Sequence, residues 1–138
     1  MDNPRVLLVE DHEDNLEILT IILSEKYRVS SYTSGLEALA AFETVKPDVV
    51  VLDIGMGPVD GLECLKTIRA MPGYHAIPAV ALTAFAGNGE REAFLAAGFQ
   101  AVVTKPLCED SVLITAIESL LAAAAVPSQY PPSGERRG

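Results

Sequence analysis

The stretch that decides the fold is DVVVLDI, from Asp48 to Ile54. Its centre is an unbroken run of valine and leucine, which is typical of a strand buried on both faces of a parallel sheet. Asp53 closes this run. Its carboxylate is therefore expected to emerge at the carboxyl end of a central strand.

Strands and helices alternate on both sides of this stretch. Four more strands are predicted, at Arg5–Glu10, Arg28–Tyr32, Ile77–Ala84 and Ala101–Thr104. Five helices are predicted: one carries the apolar stripe between Leu16 and Leu23, and the others span Gly35–Val45, Gly61–Ala70, Glu90–Ala97 and Asp110–Ala124. This alternation predicts the α/β class, with an open, doubly wound sheet of five parallel strands. Ligands of such sheets bind beyond the carboxyl ends of the strands.

The length of 138 residues suits one domain. Residues 1–125 are predicted to form it, and residues 126–138, rich in Pro, Ser and Gly, are predicted to be a disordered tail. No apolar run approaches the ~20 residues that span a bilayer, so we expect a cytoplasmic protein without a membrane partner. Met1 and the compact start favour a free-standing protein.

The charge balance excludes one class of partner. The chain has 19 acidic and 10 basic residues and a formal net charge of −9. Nucleic-acid binding needs clustered Lys and Arg, so no direct nucleic-acid partner is expected. Cys64 and Cys108 lack metal-ligand spacing and are expected to be buried, reduced thiols.

Polar side chains stand where the predicted strands end: Glu10 and Asp11 end the first, Asp53 ends the third, Thr83 ends the fourth, and Lys105 follows the fifth. Any one of them is commonly only a helix cap or a turn residue. The carboxyl ends of parallel strands share one edge of the sheet. We therefore expect these side chains to converge.

The predicted cluster has the parts of a phosphoryl-transfer site. Gathered carboxylates repel one another, and a hard divalent cation such as Mg²⁺ relieves this while keeping a position for a phosphate oxygen. Lys105 would neutralise the transferred group from the other side. The Thr83 hydroxyl and the Ala84 backbone N–H would add neutral donors.

These motifs together resemble the receiver domains of two-component response regulators. The resemblance covers about Arg5 to Leu121 and rests on the acidic pair Glu10-Asp11, VVVLDIGM with Asp53, DGLE at Asp60–Glu63, ALTA with Thr83, and TKPL with Lys105-Pro106. It implies a flavodoxin-like fold with strand order 2-1-3-4-5.

The resemblance also implies roles for individual residues. Asp53 would be the phosphoacceptor, and Thr83, Lys105 and the backbone N–H of Ala84 would hold the phosphoryl oxygens. Mg²⁺ would be bound directly by Asp11 and Asp53, through a water by Glu10, and by the backbone carbonyl of Gly55.

The implied partners are a sensor histidine kinase or histidine phosphotransfer protein as donor, and a downstream protein effector. The chain would be a monomer or a weak, phosphorylation-dependent dimer. It would not be an enzyme in the ordinary sense, because it would promote its own phosphorylation and dephosphorylation with Mg²⁺ and be its own substrate.

Three positions depart from the family pattern. Gly57 stands where receivers usually have proline, with Pro58 following. Val102 stands where many have an aromatic ring that moves during switching. Phe85 stands where some have a polar side chain.

The sequence disfavours two rival functions. A hydrolase with an aspartyl-phosphate intermediate would place a second Asp two residues after the nucleophile, where this chain has Gly55. A flavodoxin-like cofactor-binding protein would need a phosphate-cradling loop after the first strand, where this chain has EDHED, Glu10–Asp14. His12, Tyr74 and His75 are expected at the surface, with His12 in the first turn of a helix.

Overall fold

The coordinates, a computed structural model, describe residues 3–54, 61–83, 89–104 and 110–125. Five parallel strands form one sheet: β1 (Arg5–Val9), β2 (Arg28–Tyr32), β3 (Val49–Asp53), β4 (Ala79–Thr83) and β5 (Ala101–Thr104). Their order is β2-β1-β3-β4-β5. The predicted α/β class and the strand order 2-1-3-4-5 are confirmed.

Five helices cover the two faces of the sheet: α1 (Glu13–Ser24), α2 (Gly35–Val45), α3 (Gly61–Arg69), α4 (Glu90–Ala96) and α5 (Asp110–Ala125). Buried side chains of α1 and α5 pack on one face, together with Val49 and Val51 of β3. Those of α2, α3 and α4 pack on the other face, together with Val50 and Leu52. Every residue of β3 is buried, as its apolar run predicts.

β2 and β5 have the predicted bounds, whereas β1, β3 and β4 are shorter than predicted. β1 ends at Val9, although the backbone N–H of Glu10 still donates to the carbonyl of Tyr32, and β4 begins at Ala79 after Pro78. The carbonyl of Pro78 still accepts a hydrogen bond from Val50, at 3.0 Å. Proline has no N–H to donate, so it stands at the entrance of the strand.

One expected surface residue is partly internal. The ring of Tyr74 is half-buried and meets the edge of Phe42, with ring centroids 4.7 Å apart. The neighbouring His75 is exposed, as expected, and its Nδ1 lies 2.7 Å from the carbonyl oxygen of Arg69. The Arg69 guanidinium donates in turn to the carbonyls of His75 and Gly98. These bonds tie the end of α3 to the segment before β4 and to the segment after α4. Burial lowers the pKa of Arg69.

The predicted tail, residues 126–138, lies outside the described residues, as does Cys108, while Cys64 is buried. Across the described ranges, no helix is long and apolar enough to cross a membrane.

Candidate functional site

Within the described parts of the chain, the buried polar or charged side chains are Glu10, Asp53 and Thr83. Their relative exposures are 0%, 6% and 7%. All three were predicted as site residues from their places in the sequence. A buried polar group must be satisfied by a partner to be tolerated, so three of them at one place indicate a site kept for a purpose other than packing.

The sheet register places the three at one edge. Val9 pairs with Leu52 across β1 and β3, and Asp53 pairs with Leu82 across β3 and β4. Glu10 follows Val9 and Thr83 follows Leu82, so each stands at the carboxyl end of its strand. Strands in a sheet lie about 4.8 Å apart, which makes these residues neighbours on adjacent strands.

Backbone hydrogen bonds continue just past the strands and fix this edge. The N–H of Glu10 donates to the carbonyl of Tyr32 at 3.1 Å, and the N–H of Ile54 donates to the carbonyl of Leu82 at 2.8 Å. Both β1 and β3 are therefore held by a neighbour at the point where their acidic residues emerge.

The acidic pair sits at the amino end of α1. The backbone N–H of His12, the N-cap residue, donates to Glu10 Oε2 at 3.1 Å. The imidazole Nδ1 of His12 lies 3.4 Å from Glu10 Oε2 and 3.2 Å from Asp11 Oδ1. The positive end of a helix favours carboxylates at this position. His12 is exposed, as expected, but it occupies the N-cap position of α1, without a side-chain cap hydrogen bond, instead of lying in its first turn.

A metal ion has a suitable set of ligand atoms here. Glu10, Asp11 and His12 each offer one ligand atom, and these atoms all lie within 4.8 Å of one another. Asp53 does not belong to this compact group. The sequence predicted Glu10 and Asp11 as ligands and His12 as a surface residue; the structure places a ligand atom of His12 within reach of both carboxylates.

Several predicted site residues lie outside the described residues. These are Gly55, Ala84 and Lys105, together with Gly57, Pro58 and Phe85, which depart from the family pattern. The third departure, Val102, is described: it is 7% exposed and packs in the core on the α2–α3–α4 face.

Comparisons with known proteins agree with this architecture. The profile of the response regulator receiver domain matches residues 6–118. The polar-differentiation response regulator DivK of Brucella ovis is 35% identical over 103 residues, which cover 74% of this chain and 84% of DivK. The response regulator PleD of Caulobacter vibrioides is 34% identical over 138 residues, covering 97% of this chain but 30% of PleD.

A solved structure gives the same result in three dimensions. The receiver domain of the sensor histidine kinase PA1611 from Pseudomonas aeruginosa, solved with a magnesium ion coordinated in its active-site cleft, has a TM-score of 0.78 to this chain. The two share 29% sequence identity, and the match covers 87% of this chain and 98% of that domain. The chain belongs to the response regulator receiver domain family of two-component signalling.

Proposed function

We propose that the chain accepts a phosphoryl group on the carboxylate of Asp53. The observation that carries the proposal is the burial of Asp53 between Glu10 and Thr83 at the carboxyl edge of the sheet. A carboxylate that ends a fully buried strand is held in one place, and positioning supplies much of the rate in phosphoryl transfer.

The donor in this proposal is a phosphohistidine on a sensor histidine kinase or a histidine phosphotransfer protein. A carboxylate oxygen of Asp53 forms the new P–O bond while the P–N bond of the phosphohistidine breaks. The imidazole leaves and takes up a proton. The product is an acyl phosphate on this chain, which is its own substrate and thus no enzyme in the ordinary sense.

Mg²⁺ is the expected cofactor, because the oxygen donors of Glu10, Asp11 and Asp53 suit a hard cation. The backbone carbonyl of Gly55 would complete the protein ligands. The ion supplies charge neutralisation at the transferred group. Glu10, which already accepts a hydrogen bond from His12, would act mainly through a water. The magnesium in the PA1611 receiver supports this choice of ion.

Thr83 and Lys105 would hold the phosphoryl oxygens from the side away from the metal. The Thr83 hydroxyl is buried at the end of β4, one strand from Asp53. The ammonium of Lys105 and the backbone N–H of Ala84 complete the set of donors. Phosphorylation would then alter how a downstream protein recognises this surface.

The exposed face of α1 is a candidate contact for the donor. Ile18 and Ile21 are 56% and 61% exposed, three residues apart on one side of the helix. Because α1 begins at the acidic pair, a protein docked there would reach the site. Adjacent exposed apolar side chains that form a patch rimmed by polar residues mark protein–protein interaction sites.

The test is phosphorylation with Mg²⁺ and a small acyl phosphate, followed by mapping of the acid-labile phosphate. Asp53→Ala should incorporate none. Asp48→Asn is the matched control. It removes a carboxylate just before the amino end of β3, whereas Asp53 stands at the carboxyl end. The asparagine keeps an oxygen that can accept the hydrogen bond from the Arg5 backbone N–H. Undiminished incorporation by Asp53→Ala would refute the proposal.

A further inference from the structure

Three cationic side chains line one cleft of about 750 Å³, formed between β2 and the C-terminal end of α2. They are Arg5 at the start of β1, Arg28 at the start of β2, and Lys46 directly after α2. Among the described residues that line this basic cleft, none is acidic. In a chain with a formal net charge of −9, such a cluster of like charges attracts anions to one place.

The basic cleft is separate from the phosphoacceptor site. Arg5 and Arg28 pair with each other in the register of β1 and β2, at the amino ends of both strands. Glu10 and Asp53 stand at the opposite, carboxyl ends. The cations of the cleft therefore have no part in neutralising a phosphoryl group on Asp53.

Two of these cations are available to a ligand. Two other described cations are engaged: Lys26 pairs with Glu118 at 3.1 Å, and the Arg69 guanidinium donates to two backbone carbonyls. By contrast, in the described part of the chain the side chains of Arg5 and Lys46 have no acidic partner within 4.0 Å.

The cleft also borders an open strand edge. β2 pairs with β1 and ends the described sheet on that side. The backbone N–H of Arg28 and the carbonyl of Tyr32 are bonded toward β1, so the alternating residues Val29 and Ser31 direct their backbone groups away from it. Val29 is one of the residues that line the cleft. Backbone groups at an open edge can pair with an added strand.

We propose that the basic cleft binds an acidic, extended segment of a partner protein, which adds to β2 as a further strand. Side chains at alternate positions of a strand share one face. Acidic side chains at alternate positions of the added segment would thus lie on the same face as Arg5, Arg28 and Lys46. Backbone pairing supplies affinity in this mode of recognition, and the side chains supply specificity.

Edge protection alone does not account for these charges. A charged residue on an edge strand discourages unwanted pairing, and this explains Arg28. Arg5, however, is on an interior strand, and Lys46 follows a helix. An open, charged cleft also differs from the enclosed and mostly apolar pockets that hold small molecules.

The first test uses a labelled octapeptide of alternating Glu and Val, and the same peptide with Gln in place of Glu. We expect the acidic peptide to bind more tightly, with affinity falling as salt rises. Its backbone NMR shifts should fall on residues 28–32 and 44–46. Equal binding of the Gln peptide, or shifts confined to other residues, would overturn the proposal.

The second test compares two double variants with equal loss of charge. Arg5→Gln with Lys46→Gln should weaken binding of the acidic peptide about tenfold, the loss of two exposed ion pairs. Lys26→Gln with Lys66→Gln, away from the cleft, should change it less than about twofold. Equal weakening by both pairs would mean non-specific attraction and would refute the site.

Two further experiments identify which kind of ligand the basic cleft binds and whether it pairs with β2. Inorganic phosphate and ATP are added as competitors of the peptide. If either binds residues 28–32 and 44–46 more tightly than the peptide does, the cleft serves small phosphate ligands and the proposal is wrong. A copy of the acidic peptide with N-methylated alternate amides keeps every carboxylate but cannot pair with β2. Its binding should be lost, and undiminished binding would exclude strand addition.

Discussion

Gly61, the first residue of α3, lies directly against the backbone of Asp53, and a Cβ built at Gly61 would lie 2.6 Å from the Asp53 carbonyl oxygen. It would also lie 3.0 Å from the Cδ1 atom of Ile54. Real Cβ atoms do not approach a carbonyl oxygen so closely. The start of α3 can therefore pack on the end of β3 only where this residue has no side chain.

We expect Gly61→Ala to destabilise the fold. Alanine gains up to ~1 kcal/mol in helix propensity. Overpacking against a fixed backbone atom costs about 1–3 kcal/mol, so the net effect should be a loss of about 1–2 kcal/mol. Urea unfolding measures this, with Thr67→Ala at an exposed position of the same helix as the control. A Gly61→Ala protein as stable as the wild type would contradict the packing argument.

Some elements could be predicted to the residue because local chemistry fixes their ends. α2 spans Gly35–Val45, as predicted. The Ser34 hydroxyl accepts from the N–H of Glu37 at 3.1 Å and begins the helix. Lys46, with φ of 50°, turns the chain out of it. Both signals lie within a few residues of the ends they define.

The convergence of three buried polar residues was predictable for a different reason. Glu10, Asp53 and Thr83 each follow an apolar run, and the rule that strands of one parallel sheet share a carboxyl edge brings them together. The contact of Tyr74 with Phe42 and the clamp made by Arg69 join residues far apart in sequence. No local pattern encodes such pairs, which is why Tyr74 was wrongly expected at the surface.

Magnesium should stabilise the folded chain. A ligand that binds only the native state raises its stability by mass action, so the melting temperature should rise with millimolar Mg²⁺. Asp11→Asn should abolish most of this rise, and Glu10→Gln should reduce it less, because in the proposed site Glu10 would act through a water. Calorimetry of the wild type and both variants, with and without Mg²⁺, measures these melting temperatures.

Glu17→Gln is the control for the magnesium series. It removes one exposed carboxylate of α1 outside the group formed by Glu10, Asp11 and His12. Its response to Mg²⁺ should match the wild type. A melting temperature of the wild type that is insensitive to millimolar Mg²⁺ would count against a metal site at this edge.

Tyr27→Phe should make the protein more stable. The Tyr27 hydroxyl is buried in the core on the α1–α5 face and has no hydrogen-bond partner among the described residues. Removing an unsatisfied buried hydroxyl relieves a desolvation penalty of ~1–3 kcal/mol, less if a water serves it. We expect a gain of up to ~1 kcal/mol at neutral pH, measured by urea unfolding.

The same variant should flatten the alkaline limb of the stability curve. Burial, with a smaller contribution from the charge of Glu118, raises the pKa of Tyr27 above the ordinary tyrosine value of 10.0. Above that pH the unfolded chain releases the proton while the folded chain keeps it, so the free energy of unfolding falls as pH rises. Tyr27→Phe lacks this loss. Identical slopes above pH 10 in wild type and variant would contradict the assignment.

Signalling should pass through α4. Phosphorylation adds about −1.5 to −2 charges at the site, and drawing Thr83 inward should shift β4 and the segment that follows it. Many receivers relay the signal by turning an aromatic ring. This chain cannot use that relay, because the buried residue at the corresponding position is Val102. A described link between α4 and β5 remains: Nη1 of Arg91 donates to the carbonyl of Val102 at 3.3 Å.

We therefore expect a phosphate mimic such as beryllofluoride to change amide exchange between residues 85 and 97. Arg91→Gln should keep that change in α4 but reduce its spread to β5, because the bond to the Val102 carbonyl is lost or weakened. Glu92→Gln, which alters an exposed neighbour in the same helix, should behave like the wild type. Exchange that changes only in β5 and α5, with residues 85–97 silent, would show that the signal takes another route.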